Sequence, residues 1–288
     1  MDDISVSKSN HGNVVVLNIK ASSLADTSLP SNKHESSSPP LLSVHFLQKL
    51  LAELVGTYYL IFAGCAAIAV NAQHNHVVTL VGIAVVWGIV IMVLVYCLGH
   101  LSAHFNPAVT LALASSQRFP LNQVPAYITV QVIGSTLASA TLRLLFDLNN
   151  DVCSKKHDVF LGSSPSGSDL QAFVMEFIIT GFLMLVVCAV TTTKRTVSEL
   201  EGLIIGATVT LNVIFAGEVS GASMNPARSI GPALVWGCYK GIWIYLLAPT
   251  LGAVSGALIH KMLPSIQNAE PEFSKTGSSH KRVTDLPL

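Results

Sequence analysis

The amino-acid sequence predicts an all-α membrane protein, with six transmembrane helices plus two half-spanning re-entrant helices related by an inverted repeat. Three observations carry that expectation. Half of the 288-residue chain is hydrophobic (51%) and only 11% is charged, against about 25% charged in a soluble domain. Six apolar segments approach or reach the about 20 residues that a helix needs to cross a hydrocarbon core of about 30 Å. An Asn-Pro-Ala triplet occurs twice, each time ahead of an apolar stretch too short to cross.

In chain order, residues 1–44 are rich in Ser, Asn, Lys and Pro and lack the apolar surface to fold, so a disordered tail is expected there. They contain no short apolar core with a cleavage site, and the first span is expected to act as the insertion signal. Spans are expected at 47–70, 77–98, 124–146, 170–191, 200–217 and 241–262, the fifth being the shortest. The stretches 108–116 and 227–236 each follow a triplet. Eight to ten helical residues reach about 12–15 Å, near half the hydrocarbon thickness. Residues 264–288 make a second polar tail. The chain thus divides into a tail at 1–44, a membrane domain at 45–263 and a tail at 264–288.

Charge sets the orientation. Six spans put both tails on one side, with the loops around Arg118 and Lys194-Arg195. Of the 16 Lys and Arg, only Arg143, Lys155, Lys156, Arg228 and Lys240 fall on the other side. That bias puts both tails in the cytoplasm; the plasma membrane is the expected host, with the endoplasmic reticulum as the alternative. The balanced charge, 16 basic against 16 acidic residues, gives no reason to expect a nucleic-acid partner. Cys65, Cys97, Cys153, Cys188 and Cys238 show no CxxC or Cys/His spacing. They read as small apolar packing residues, with no disulfide framework and no metal site expected.

The membrane domain repeats itself. Glu53-x-x-x-Thr57 matches Glu176-x-x-x-Thr180, the two triplets match, and Tyr127-x-x-x-Gln131-x-x-Gly134 matches Tyr245-x-x-x-Pro249-x-x-Gly252. Repeat one covers about 45–146 and repeat two about 170–263. Three spans per repeat is an odd number, so the second repeat enters the membrane upside down. Sites in such inverted repeats lie near the midplane where the halves meet.

The triplets carry the chemistry. Asn is a strong N-cap and Pro is favoured at the first helical position. Asn106-Pro107-Ala108 and Asn225-Pro226-Ala227 are therefore helix starts, and inversion brings those starts together at mid-membrane. Irregular backbone at that depth is tolerated where it is buried or lines a wet cavity. Loop carbonyls and the two Asn amides can then serve a passing hydrogen-bonding molecule, while the positive helix N-termini oppose cations and protons. Arg228 stands in the first turn of the second half-helix, an unfavourable place for a cation. Val109 occupies the matching position in repeat one, so Arg228 reads as functional. Arg143 has no such setting and is expected to snorkel to headgroups. Glu53 and Glu176, buried in spans, are expected to accept from backbone N–H groups of the loops feeding the half-helices, a proton relay being the alternative. His100 and His104 are expected to pack within the first of these loops.

Six spans, the repeated Glu-x-x-x-Thr, His-Phe-Asn-Pro-Ala-Val-Thr at 104–110 and Gly-Ala-Ser-Met-Asn-Pro-Ala-Arg-Ser-Ile-Gly-Pro-Ala at 221–233 resemble the aquaporin (major intrinsic protein) family. Val86-Trp87-Gly88 and Leu211-Asn212-Val213 resemble its plant nodulin-like subfamily. The resemblance covers about 45–263. It implies an aquaporin-like fold, a homotetramer with one pore per subunit, and an outer constriction at Trp87, Val213, Ala222 and Arg228. Water channels of the family usually have His where Val213 stands. Trp87 and Val213 then offer an apolar wall, Ala222 leaves room and Arg228 donates, which suits an amphipathic solute such as glycerol. Two departures stand out. The loop lacks a Gly that the family usually has between Ser102 and Ala103, and Trp87 is placed on the assumption that the gap lies there. Glu218 replaces a common Pro near the outer mouth.

The expected function is a passive channel for small uncharged solutes: glycerol-type polyols, some water, and protonated weak acids such as lactic acid. An ion- or proton-coupled transporter is the alternative, disfavoured because the spans hold no paired carboxylates. No nucleophile–base pairing or metal cluster suggests an enzyme, and no cofactor is expected. Membrane lipid, small neutral solutes and further copies of the chain are the expected partners. Phe273, Lys275 and Ser278 give an apolar–basic–Ser spacing of the kind that plant calcium-dependent kinases accept, which makes Ser278 a candidate phosphorylation site.

Overall fold

The computed structural model describes residues 43–147, 160–192 and 198–263. The expectations for both tails, Cys153, Lys155, Lys156, Lys194, Arg195 and Ser278 concern residues outside these. All described residues fall in one compact unit, Pro39–Leu288.

Among the described residues there are eight α-helices: α1 (Val44–Gln73), α2 (Thr79–Leu98), α3 (Pro107–Ser115), α4 (Val124–Leu145), α5 (Asp169–Thr192), α6 (Glu201–Ser220), α7 (Pro226–Trp236) and α8 (Ile242–Met262). Six are long and apolar enough to cross a membrane, and α3 and α7, with 9 and 11 residues, are not. α1 starts earlier than the apolar pattern suggests because Ser43 caps it, its Oγ accepting from the Phe46 N–H at 3.2 Å. α6 also departs from expectation. It is not cut short at 217 but runs 20 residues to Ser220. The apolar pattern stops at Glu218, yet the helix continues because Ser220 is buried and donates to Glu176 at 2.7 Å.

The packing follows the internal repeat. α1 packs on α4 as α5 packs on α8, α1 on α2 as α5 on α6, and α3 on α8 as α7 on α4. α2 meets α6 and α3 meets α7, the two pairings that an inverted two-fold maps onto themselves. Matching glycines allow close approaches at matching crossings. A Cβ on Gly134 would sit 2.5 Å from the Leu54 carbonyl oxygen of α1, and one on Gly252 would overlap the Phe177 carbonyl of α5. Small residues at such crossings let helix backbones touch where there is no hydrophobic drive between helices.

Polarity is distributed as a bilayer requires. Val81, Val85, Ile89 and Val93 form an exposed stripe along α2, while Glu53, Gln131, Glu176 and Asn212 are fully buried. Two expectations need correction. Arg143, on α4, does not reach outward: its Nη1 donates to the Val235 carbonyl at 2.7 Å. It therefore closes the C-terminal turn of α7, where a cation is favourable. Cys238, just past α7, is disulfide-bonded, whereas Cys65 and Cys188 are free buried thiols and Cys97 is free and exposed. The sequence offered no signal for that bond, since spacing along the chain does not reveal which loops meet in space.

Candidate functional site

Each loop before a half-helix is organised by one buried carboxylate. In repeat one, Glu53 Oε1 accepts from Ser102 Oγ at 2.6 Å and the His104 N–H at 2.7 Å. Its Oε2 accepts from the Phe105 N–H at 2.7 Å and Gln131 Nε2 at 2.8 Å. In repeat two, Glu176 Oε1 accepts from Ser220 Oγ at 2.7 Å and the Ser223 N–H at 2.8 Å, and Oε2 accepts from the Met224 N–H at 2.8 Å. Bonds to a charged acceptor are roughly twice as strong as neutral ones. They hold Phe105 and Met224 in the left-handed region, at φ 50° and 53°.

These bonds also locate the loop's missing residue. Ser102 and Ser220 occupy one role, and Phe105 and Met224 another. Two residues, Ala103 and His104, separate the first pair. Three residues, Gly221, Ala222 and Ser223, separate the second. The shorter loop is thus taken up between Ser102 and the triplet, after α2 has ended. Gly221, at φ 82°, is the residue that the first loop lacks.

The half-helices then start as their sequences dictate. Asn106 is extended (φ −156°) and its Oδ1 accepts from the Ala108 N–H at 2.8 Å. Asn225 is extended (φ −148°) and its Oδ1 accepts from the Ala227 N–H at 2.9 Å. With each oxygen committed to a cap, each amide NH₂ turns to the opposite loop. Asn106 Nδ2 donates to the Met224 carbonyl at 2.7 Å, and Asn225 Nδ2 to the Phe105 carbonyl at 2.8 Å. This reciprocal brace was not anticipated. It uses one of the two hydrogens on each amide.

A cavity of about 690 Å³ passes both triplets. Lys49, Arg118 and Glu201 line it toward the tail-side ends of α1, α3 and α6, and Asn106 and Asn225 line it centrally. Trp87, Val213, Ala222 and Arg228, the four filter candidates, line the same cavity. The Arg228 guanidinium carbon lies 5.4 Å from the Trp87 ring centroid, within cation–π range. Its Nη1 donates to the Leu161 carbonyl at 3.1 Å, and only 3% of the residue is exposed. The cation is thereby held at the cavity wall despite its poor place in the helix. Leu161, in the stretch between α4 and α5, bears no motif, and nothing in the sequence marks it.

Other supports escaped the sequence reading. Ser223, Ser229 and Ser163 form a hydroxyl chain behind the second triplet, with contacts of 2.7 and 2.8 Å. Ser135 Oγ donates to the Ala227 carbonyl at 2.6 Å. His104 packs as expected, its Nδ1 3.1 Å from Thr110 Oγ1 and its ring against Phe119 and Tyr127. His100 does not; it is exposed on the turn after α2.

The model of the family described as Major intrinsic protein matches residues 40–260. The chain belongs to the major intrinsic protein family. As a member it is a multi-pass membrane protein and a passive channel for small solutes, not an enzyme. It is 99% identical over 288 residues to Aquaporin NIP2-1 of Arabidopsis thaliana, covering 100% of each chain. It is 57% identical over 242 residues to Nodulin-26 of Glycine max, covering 84% of this chain and 87% of that one. Among solved structures it is similar to the aquaglyceroporin of Plasmodium falciparum, with a TM-score of 0.66 and 25% identity, covering 75% of this chain and 96% of that chain. The plant relatives place this major intrinsic protein in the nodulin-like subfamily.

Proposed function

We propose that this channel passes glycerol-type polyols, with water as a lesser permeant and undissociated weak acids such as lactic acid as a further class. The observation that carries this reading is the contact of Arg228 with the Trp87 ring on the wall of a cavity also lined by Val213 and Ala222. Those four residues act as the selectivity filter. An indole face and an isopropyl group take the CH side of a polyol, and the guanidinium takes its hydroxyls. Small Ala222 leaves width that a His at Val213 would remove.

The two triplets supply the charge barrier. Each half-helix N-terminus carries about half a positive charge, and Arg228 adds one more. A lactate anion would lose its hydration beside Trp87 and Val213, whereas the neutral acid keeps one hydroxyl and one carboxyl group to satisfy. Glu53 and Glu176 act as scaffolds for the loops rather than as a proton relay, because every donor bonded to each belongs to its own repeat, four to Glu53 and three to Glu176.

Four copies assemble as a homotetramer with one pore each, both tails in the cytoplasm and Ser278 open to a calcium-dependent kinase. The exposed apolar faces of α1, α2, α5 and α6 are then shared between lipid and neighbouring copies. Proteoliposomes containing the full chain are expected to take up glycerol, and lactic acid at acidic pH, faster than empty vesicles. No difference across a solute panel overturns the reading.

A further inference from the structure

We propose that Asn212 is a positioning residue that sets the size selectivity of the pore by tethering the Met224 thioether to its wall. The proposal rests on the reading of the chain as a small-solute channel.

Asn212 lies in the body of α6 and is fully buried. An amide in a membrane-spanning helix is costly unless it is bonded. Its Nδ2 donates to the Ile179 carbonyl of α5 at 3.0 Å and to Met224 Sδ at 3.2 Å. Both partners are acceptors, so the reversed amide would set Oδ1 against two acceptors, and the orientation is fixed. Oδ1 itself has no partner. The Ile179 carbonyl sits within α5, where the helix provides its own donor. What the amide adds that nothing else supplies is the tether on Met224.

Met224 needs one. Its backbone is fixed on both sides, the N–H by Glu176 and the carbonyl by Asn106. The residue lines the cavity one position before the second triplet and is only 4% exposed. Methionine is unbranched with three rotatable bonds, so an untethered thioether beside the cavity wall would visit several rotamers. Repeat one solves the same problem differently. Phe105, in the matching place, has a stiff ring seated so closely over Gly56 that a Cβ there would overlap it. Repeat two has a flexible side chain and a hydrogen bond instead. Val213 follows Asn212 directly, so the tether also ties the wall bearing Val213 to the loop bearing Ala222.

The test compares wild type, Asn212→Leu, Met224→Leu and the double variant in proteoliposomes. Glycerol and water permeability are measured per copy of inserted protein. Loss of one such bond frees other rotamers by roughly threefold, and an intruding thioether obstructs glycerol more than water. The glycerol-to-water ratio is expected to fall about threefold in Asn212→Leu, and Asn212→Leu is expected to add nothing in the Met224→Leu background. An unchanged ratio, an equal loss for both solutes, or the same effect with and without Met224 overturns the proposal. A second readout needs no transport: ¹³C-methyl methionine spectra of the full chain in detergent. The methyl that Met224→Leu removes is expected to be restrained in wild type and averaged in Asn212→Leu. If wild-type vesicles pass no solute, the channel reading fails on its own, and the methyl spectrum still decides the tether.

Discussion

Replacing Glu176 by Gln tests whether one carboxylate holds the second half-helix in place. Glu176 accepts three hydrogen bonds, two of them from the N–H groups of Ser223 and Met224. Those two hold a loop in which Ala222 and Met224 take φ of 43° and 53°. Such conformations cost on the order of 1–3 kcal/mol each in a non-glycine residue. Bonds to a charged acceptor contribute about 1.5–3 kcal/mol each, enough to offset that strain. Gln keeps one oxygen and turns an NH₂ toward the other donor. One bond is lost, the surviving ones become neutral, and one buried N–H is left facing a donor, a combined loss of about 3–5 kcal/mol. The loop is then expected to relax, carrying Ala222 away from Arg228 and freeing the Met224 carbonyl from Asn106. Stopped-flow light scattering on proteoliposomes is expected to show glycerol uptake near the empty-vesicle rate, with a lowered thermal midpoint for the detergent-solubilised protein. Wild-type permeability together with a wild-type midpoint would refute the scaffold argument. A proton-relay role predicts instead a stable variant with lost pH dependence.

Four further substitutions probe separate parts of the argument. Val213→His narrows the constriction and adds a donor, so glycerol uptake is expected to fall at least about tenfold while water flux persists; equal loss of both would point to misfolding. Gly252→Ala forces a Cβ into the Phe177 carbonyl, and overpacking of about 1–3 kcal/mol is expected to lower the thermal midpoint; Gly134→Ala is expected to act alike on α1. Asn225→Asp keeps an oxygen to cap α7 but places a negative charge where two half-positive helix ends meet. A cation or proton leak, absent from wild type, is expected in vesicles loaded with a pH-sensitive dye.

Much of this architecture was legible because its signals are local or repeated. Span positions follow from apolar length, and the half-helices from Asn-Pro at a helix start. The pairing of Glu53 with Glu176 follows from their shared spacing to Thr. What escaped depends on contacts between distant segments. Arg143 reads as a snorkelling cation until α4 is seen to cross the end of α7. The disulfide at Cys238 has no spacing signature. The Arg228 anchor is a backbone carbonyl, that of Leu161, and any residue type supplies one. Ser220 extends α6 past its apolar pattern only because Glu176 awaits it from α5. In each case the partner is fixed by the fold and not by the neighbouring sequence.

The reciprocal brace explains why the triplets cannot tune the choice of solute. Each Asn uses its oxygen to cap its own half-helix and one amide hydrogen to hold the opposite loop. One hydrogen on each amide is left for a passing molecule. A residue that altered this last contact would break the other two as well, so the pore's centre is tied to its architecture. Val213 and Ala222 carry no such double duty, and the contact of Arg228 with Trp87 between the repeats caps neither half-helix. Val109 replaces the arginine in repeat one without loss of the half-helix start. Under the proposed function, freedom to vary selectivity then lies where the two repeats differ, on the walls beside the second triplet, where the Asn212–Met224 contact also sits.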